Sequence, residues 1–91
     1  MAHFVLEYRY ADMDARAQAR PAHLAYMNRL HAEGKVVLAG PIGDGSGAMV
    51  IFRAADEAEV QGLVAADPYT VQGVSADVTV RPWKVVIPDH G

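Results

Sequence analysis

"HFVLEYRYADMDARAQARPAHLAYMNRLHAEG", residues 3–34, changes its periodicity once, and that change decides the fold. Over residues 3–10, Phe4, Leu6, Tyr8 and Tyr10 alternate with His3, Val5, Glu7 and Arg9. A period of two predicts a strand with one buried face and one partly wetted face. From Ala11 to Gly34 the apolar residues recur at helical spacing instead. Asp12 or Asp14 is placed to cap the start of this helix, and Gly34 supplies its stop. Pro21 falls inside it, where the ring removes a backbone donor and crowds the preceding turn. The expectation is therefore a short first turn followed by a main helix from about Arg20 to Glu33.

Outward from this stretch the two periods keep alternating. "KVVLAGPI" (35–42) predicts a second strand ended by Gly40-Pro41, "GDGSG" (43–47) a flexible turn, and "AMVIFRA" (48–54) a third strand completing a hairpin. "ADEAEVQGLVAAD" (55–67) returns to helix, with acidic residues in its first turn where the macrodipole favours them. "SADVTVRPWKVVI" (75–87) predicts a fourth strand, and Pro82 argues that it is an edge strand or bends there. The order βαββαβ is that of a ferredoxin-like α+β domain: a four-stranded antiparallel sheet with two helices on one face. The other face has no helix to cover it, so two copies packing sheet to sheet form the expected homodimer. The whole chain, residues 1–91, is expected to be one domain, with 88–91 as a loose tail.

Composition narrows the function classes. A net charge of −3, with the 8 lysines and arginines dispersed, gives no electrostatic reason to expect nucleic acid or an anionic membrane as a partner. The absence of cysteine rules out disulfides, thiolate catalysis, zinc ribbons and cysteine-held iron–sulfur clusters. The N-terminal stretch lacks the basic and long apolar regions of a signal peptide, and no stretch approaches the roughly 20 apolar residues of a membrane helix. A cytoplasmic protein is expected. His3, His31 and His90 show no metal-ligand spacing, and no Gly-x-Gly-x-x-Gly joins a strand to a helix, so no metal or cofactor is expected.

Two helical wheels pick out the candidate chemistry. With His23 at zero and about 100° per residue, Met27 falls at about 40° and Leu30 at about 340°, so His23 sits within the apolar stripe. A buried, unpaired imidazole nitrogen costs about 1–3 kcal/mol, so this ring needs a partner: a backbone carbonyl, a water or a charged group. On the second helix, with Val60 at zero, Val64 falls at about 40° and Asp67 at about 340°. Asp67 thus extends a buried stripe at a helix C-terminus, where the macrodipole disfavours a carboxylate. One explanation is capping, because Asp followed by Pro commonly opens a new turn, here "DPYT". The other is pairing with His23, since antiparallel helices bring the end of the second beside the beginning of the first. The two are compatible if one carboxylate oxygen caps while the other faces the histidine.

The residues of "RPAHLAYMNRL" (Arg20, His23), "GKVVLAGP" (Gly34, Gly40, Pro41), the glycine-rich turn, "ADPY" (Asp67 to Tyr69) and "RPW" (Pro82, Trp83) appear in an order that resembles the YCII-related (YciI-like) family of small dimeric α+β barrel proteins. The resemblance spans nearly the whole chain. It implies a ferredoxin-like dimer with a pocket and a histidine–aspartate pair proposed as catalytic, which His23 and Asp67 match. It also implies, from members known to be active, lyase-type elimination on hydroxylated aromatic or related small molecules.

Physical chemistry bounds the reaction separately. A histidine held by a carboxylate is a general acid or base. Ser46 in "GDGSG" lacks the strand–elbow–helix setting of a serine nucleophile, which leaves proton transfer without a covalent intermediate. Arg20, about 60° round the wheel from His23, could hold a substrate carboxylate or phenolate, or simply lie on the surface. Gly40-Pro41 and the turn up to Gly47 could cradle an anion through backbone amides or form an ordinary hairpin loop. Tyr69 could line the pocket or pack the turn after Pro68, and Trp83 could serve the core, the dimer or a pocket wall. The expected function is a cofactor-free lyase or isomerase acting on a small hydroxylated aromatic or enolisable molecule. The competing expectations are a non-catalytic small-molecule-binding or accessory dimeric module and an oxygen-dependent monooxygenase of the same architecture.

Overall fold

The computed structural model describes residues 1–88. His90 and most of the proposed tail, residues 89–91, lie outside the described residues. The elements follow as β1 (Ala2–Tyr10), α1 (Met13–Ala32), β2 (Val36–Ile42), β3 (Gly47–Ala54), α2 (Glu57–Ala66), the single turn α3 (Pro68–Val71) and β4 (Ser75–Trp83). The strands form one sheet in the order β2-β3-β1-β4, and every pairing is antiparallel. This is the ferredoxin-like arrangement.

Register explains how the alternation becomes a core. Phe4, Leu6 and Tyr8 of β1 stand opposite Phe52, Val50 and Ala48 of β3, so their side chains share one face and all six are buried. The helices cover that face, α1 contributing Ala19, His23, Tyr26, Met27 and Leu30, and α2 contributing Val60 and Val64. The Tyr26 hydroxyl donates to the Leu63 carbonyl at 2.6 Å, which fixes α1 against α2. On the other face, Val5 lies opposite Ile51 and His3 opposite Trp83, and no helix covers them. Leu38 pairs with Ile51 on this face and is 69% exposed.

Three boundaries differ from the sequence expectations. Helix α1 runs unbroken through Pro21, from Met13 to Ala32. Pro21 sits on the exposed side, and the carbonyl that loses its donor, that of Ala17, lies on the same wetted side. Buried residues on both sides of the proline, Ala19 and His23, hold the two halves to the sheet. The Asp12 carboxylate meanwhile accepts from the amides of Asp14 at 2.8 Å and Ala15 at 3.2 Å and caps the start. Second, β2 does not end at Gly40-Pro41 but continues to Ile42. It is an edge strand, where proline's missing donor can face away from the ladder. Third, β4 ends at Trp83, and its Pro82 also lies on an edge.

Gly47, the first residue of β3, has a steric reason to be glycine. A β-carbon there would run into the Tyr8 carbonyl oxygen. Its closeness to β1 sets the height at which Tyr8 and Tyr10 enter the site described next.

Candidate functional site

The site forms where the first half of α1 meets the turn that follows α2. Asp67 ends α2 and opens α3, with Pro68 at the first helical position of that turn. Its Oδ1 accepts from the Tyr69 amide at 2.9 Å, which is the capping bond. The same Oδ1 accepts from His23 Nδ1 at 2.8 Å. Capping and pairing therefore coexist, but on one oxygen instead of the two the sequence suggested. They converge because the His23 ring lies flat on the Tyr69 ring, with centroids 3.6 Å apart and planes within 2° of parallel. His23 is 7% exposed and Asp67 3%, so solvent competes little for their hydrogen bond.

This geometry assigns the proton. A carboxylate has only acceptors, so His23 Nδ1 carries the hydrogen, and in the neutral ring Nε2 carries the free lone pair. The carboxylate and the stacked phenol together fix both the tautomer and the plane of the ring.

A cavity of about 310 Å³ opens in front of His23, between α1 and the strands β2 and β3. That is near the small end of ligand sites and is enough for a molecule of one ring. Arg20, His23, Gly40, Pro41 and Tyr69 all line it, while Asp67 stands behind His23. Tyr69 is 2% exposed, so it both packs the turn and forms the back wall. Trp83 is 48% exposed and lies opposite His3 on the uncovered face, away from this cavity. A backbone cradle in the 43–47 turn does not form with the amides of Gly45 and Ser46. Gly45 donates to the Ile42 carbonyl at 3.1 Å, and Ser46 donates to the Asp44 carboxylate at 3.0 Å. The Ser46 bonds hold Asp44 below the usual carboxylate range.

Among the wall residues that the sequence reading did not assign to the site are Tyr8, Tyr10, Arg16 and His31. Tyr8, Tyr10 and Tyr69 form a mutual edge-to-face trio with centroid distances of 5.8, 6.4 and 6.1 Å. The Arg16 guanidinium lies over the Tyr10 ring, 4.5 Å from its centroid. Its Nε is shut off from solvent with no hydrogen-bond partner, a state that costs about 1–3 kcal/mol. Desolvation opposes the Arg16 charge, but its interactions with Tyr10 and Tyr69 together outweigh it and hold the guanidinium above its ordinary range. Burial pushes the Tyr69 hydroxyl up as well, with Arg16 opposing, and burial likewise raises Tyr8. These phenols therefore stay protonated at neutral pH. His31 donates from Nδ1 to the Val36 carbonyl at 2.8 Å, which ties the far end of α1 to β2.

A signal for Arg16 was present in the sequence. It falls about 20° from His23 on the same wheel, nearer than Arg20, once the helix is extended back through Pro21. Among the described residues no cluster of three or more His, Cys, Asp or Glu is placed to hold a metal ion, and no helix is long and apolar enough to cross a membrane.

Comparison with known proteins places the chain in a family. Residues 1–84 match the YCII-related domain. The chain belongs to the YCII-related family. Within it, protein YciI of Escherichia coli O6:H1 is 34% identical over 84 residues, covering 81% of this chain and 86% of its own length. An uncharacterized protein of Haemophilus influenzae matches at the same 34% identity over 84 residues, 81% of this chain and 86% of its own. Among solved structures, 5-chloro-2-hydroxyhydroquinone dehydrochlorinase (TftG) of Burkholderia phenoliruptrix AC1100, in complex with 2,5-dihydroxybenzoquinone, superposes with a TM-score of 0.77. It is 31% identical and covers 94% of this YCII-related chain and 98% of its own. An antibiotic biosynthesis monooxygenase superposes with a TM-score of 0.58 at 15% identity, over 92% and 98% of the two chains. That second likeness speaks for the fold alone.

Proposed function

We propose that this YCII-related protein is a cofactor-free lyase or isomerase that works as a homodimer in the cytoplasm. It acts on a small hydroxylated aromatic or enolisable molecule through His23 and Asp67. The observation that carries the reading is the buried 2.8 Å bond from His23 Nδ1 to Asp67, which leaves Nε2 as the basic nitrogen of a ring lining the cavity. Support also comes from TftG, at 31% identity a dehydrochlorinase of a hydroxylated ring.

In an elimination, Nε2 takes a proton from an acidic O–H or C–H of the bound molecule. The electron pair of that bond forms a new double bond, and the leaving group departs with its own electrons. Asp67 stabilises the imidazolium so formed, which then returns the proton to the leaving group or to water. In an isomerisation the same proton returns to a different atom of the substrate. The flat stack on Tyr69 holds the ring at one angle throughout. Arg20, Gly40, Pro41 and Tyr69 bind the substrate as walls of the cavity.

Homodimerisation is supported by the uncovered sheet face, where Leu38 and Trp83 expose apolar surface that a second sheet would cover.

The test is turnover of 5-chloro-2-hydroxyhydroquinone, followed by chloride release and by quinone absorbance. Loss of a general acid–base group typically costs about 10²–10⁴-fold, so His23→Ala should lower the rate by at least about 100-fold. Turnover that survived His23→Ala would sink the reading. The protein would then be a binding or accessory module whose polar pair serves only to cap α3 and pack the helices.

A further inference from the structure

The chain carries a net charge of −3, yet the cavity wall holds two arginines, Arg16 and Arg20, and no aspartate or glutamate. Charge of one sign lining a low-dielectric recess concentrates ligands of the other sign. Arg20 is exposed, but Arg16 is anchored. Its guanidinium rests on the Tyr10 ring and interacts electrostatically with Tyr10 and Tyr69. No carboxylate among the described residues lies within ion-pair distance of it. Its Nε is buried and bonded to nothing. Paired arginines elsewhere in the chain show what is missing here: Arg29 faces Glu33, and Arg81 faces Glu7.

We propose that Arg16 is the anion receptor of the site and that the ligand is a planar, one-ring molecule bearing an ionised oxygen. That oxygen is either a carboxylate or an acidic ring hydroxyl, held at the Arg16–Tyr10–Tyr69 end while the ring reaches His23. The tyrosine hydroxyls and the guanidinium fork supply several donors to one oxygen acid, which a lone ammonium could not arrange in the same plane. The proposal rests on the acid–base reading only for the role of His23, and it is tested by binding without turnover.

Isothermal titration of the whole protein with 4-hydroxybenzoate, 2,5-dihydroxybenzoquinone and neutral hydroquinone separates the possibilities. At least one of the two anions should bind about tenfold or more tightly than hydroquinone, and which one does distinguishes carboxylate from acidic hydroxyl. Arg16→Gln should weaken that anion by about tenfold or more, the scale of a lost charged hydrogen bond. Arg29→Gln, which lies outside the cavity wall, should leave it unchanged. In the unsubstituted protein, the Arg16 Nε–H resonance should shift on titration with that anion and stay still with hydroquinone, which keeps the test informative if Arg16→Gln folds poorly. Equal binding of anions and hydroquinone, no anion binding, or an Nε–H resonance that ignores the anion overturns the proposal. None of these results bears on whether His23 transfers protons. Conversely, retained anion binding with no turnover would fault the acid–base reading alone.

Discussion

Asp67 does two things with one oxygen. It caps the turn that places Tyr69, and it holds the histidine that lies on Tyr69. Removing the carboxylate should therefore cost more than a cap. Asp67→Ala loses the cap and leaves a buried imidazole nitrogen without a partner, which together predict a loss of about 2–4 kcal/mol in urea denaturation. Asp67→Asn keeps an oxygen for the cap and should cost roughly half as much. A loss of under about 1 kcal/mol for Asp67→Ala would mean that the buried pair contributes little to the fold. The place of this residue was legible from its sequence: the wheel carried the apolar stripe of the second helix onto it, and the Asp-Pro that follows marked the new turn. The shared oxygen was not legible, because it depends on the Tyr69 backbone lying beneath the His23 ring, a relation between elements that no local pattern records.

At the scale of elements, the strands were readable because alternation survives wherever one sheet face is buried, and β1 shows this most fully. Helix α1 was misjudged at Pro21 for a definite reason. Interior proline is normally expensive, and what offsets it here is burial of Ala19 and His23 on either side, which is tertiary. That one misreading also hid Arg16, because the main helix was taken to begin at about Arg20. The contact of β1 with α3 makes a separate prediction. Burial raises the Tyr8 and Tyr69 hydroxyls above their ordinary value of about 10. With folded values above unfolded ones, the unfolded chain loses these protons first as pH rises. The stabilisation is therefore fully present below about pH 10 and is lost above it. Thermal melts should show Tm insensitive to these groups between pH 7 and 9 and falling beyond pH 10, and Tyr8→Phe should soften the fall. An unchanged alkaline decline in Tyr8→Phe would contradict the assignment to Tyr8.

At the scale of the whole molecule, βαββαβ leaves one sheet face with no helix, and the uncovered residues include Leu38 and Trp83. A stable pair of sheets would bury about 800 Å² per partner. Trp83→Glu places a charge on that uncovered face and should shift the protein from dimer to monomer in sedimentation velocity. A native protein that sediments as a monomer would remove the dimer from the account. The dimer was inferred from element order alone. The cavity needed more, since its walls form only when α1, the strands and the α3 turn are brought together.

The account turns on His23 presenting Nε2 as a base because Asp67 holds the other nitrogen. Long-range ¹H–¹⁵N correlation of the His23 ring, at a pH where the ring is neutral, reads this directly. The predicted result is a protonated Nδ1 and an unprotonated Nε2, with the preference weakened in Asp67→Asn. A ring protonated on Nε2, or a tautomer that ignores Asp67→Asn, would contradict it.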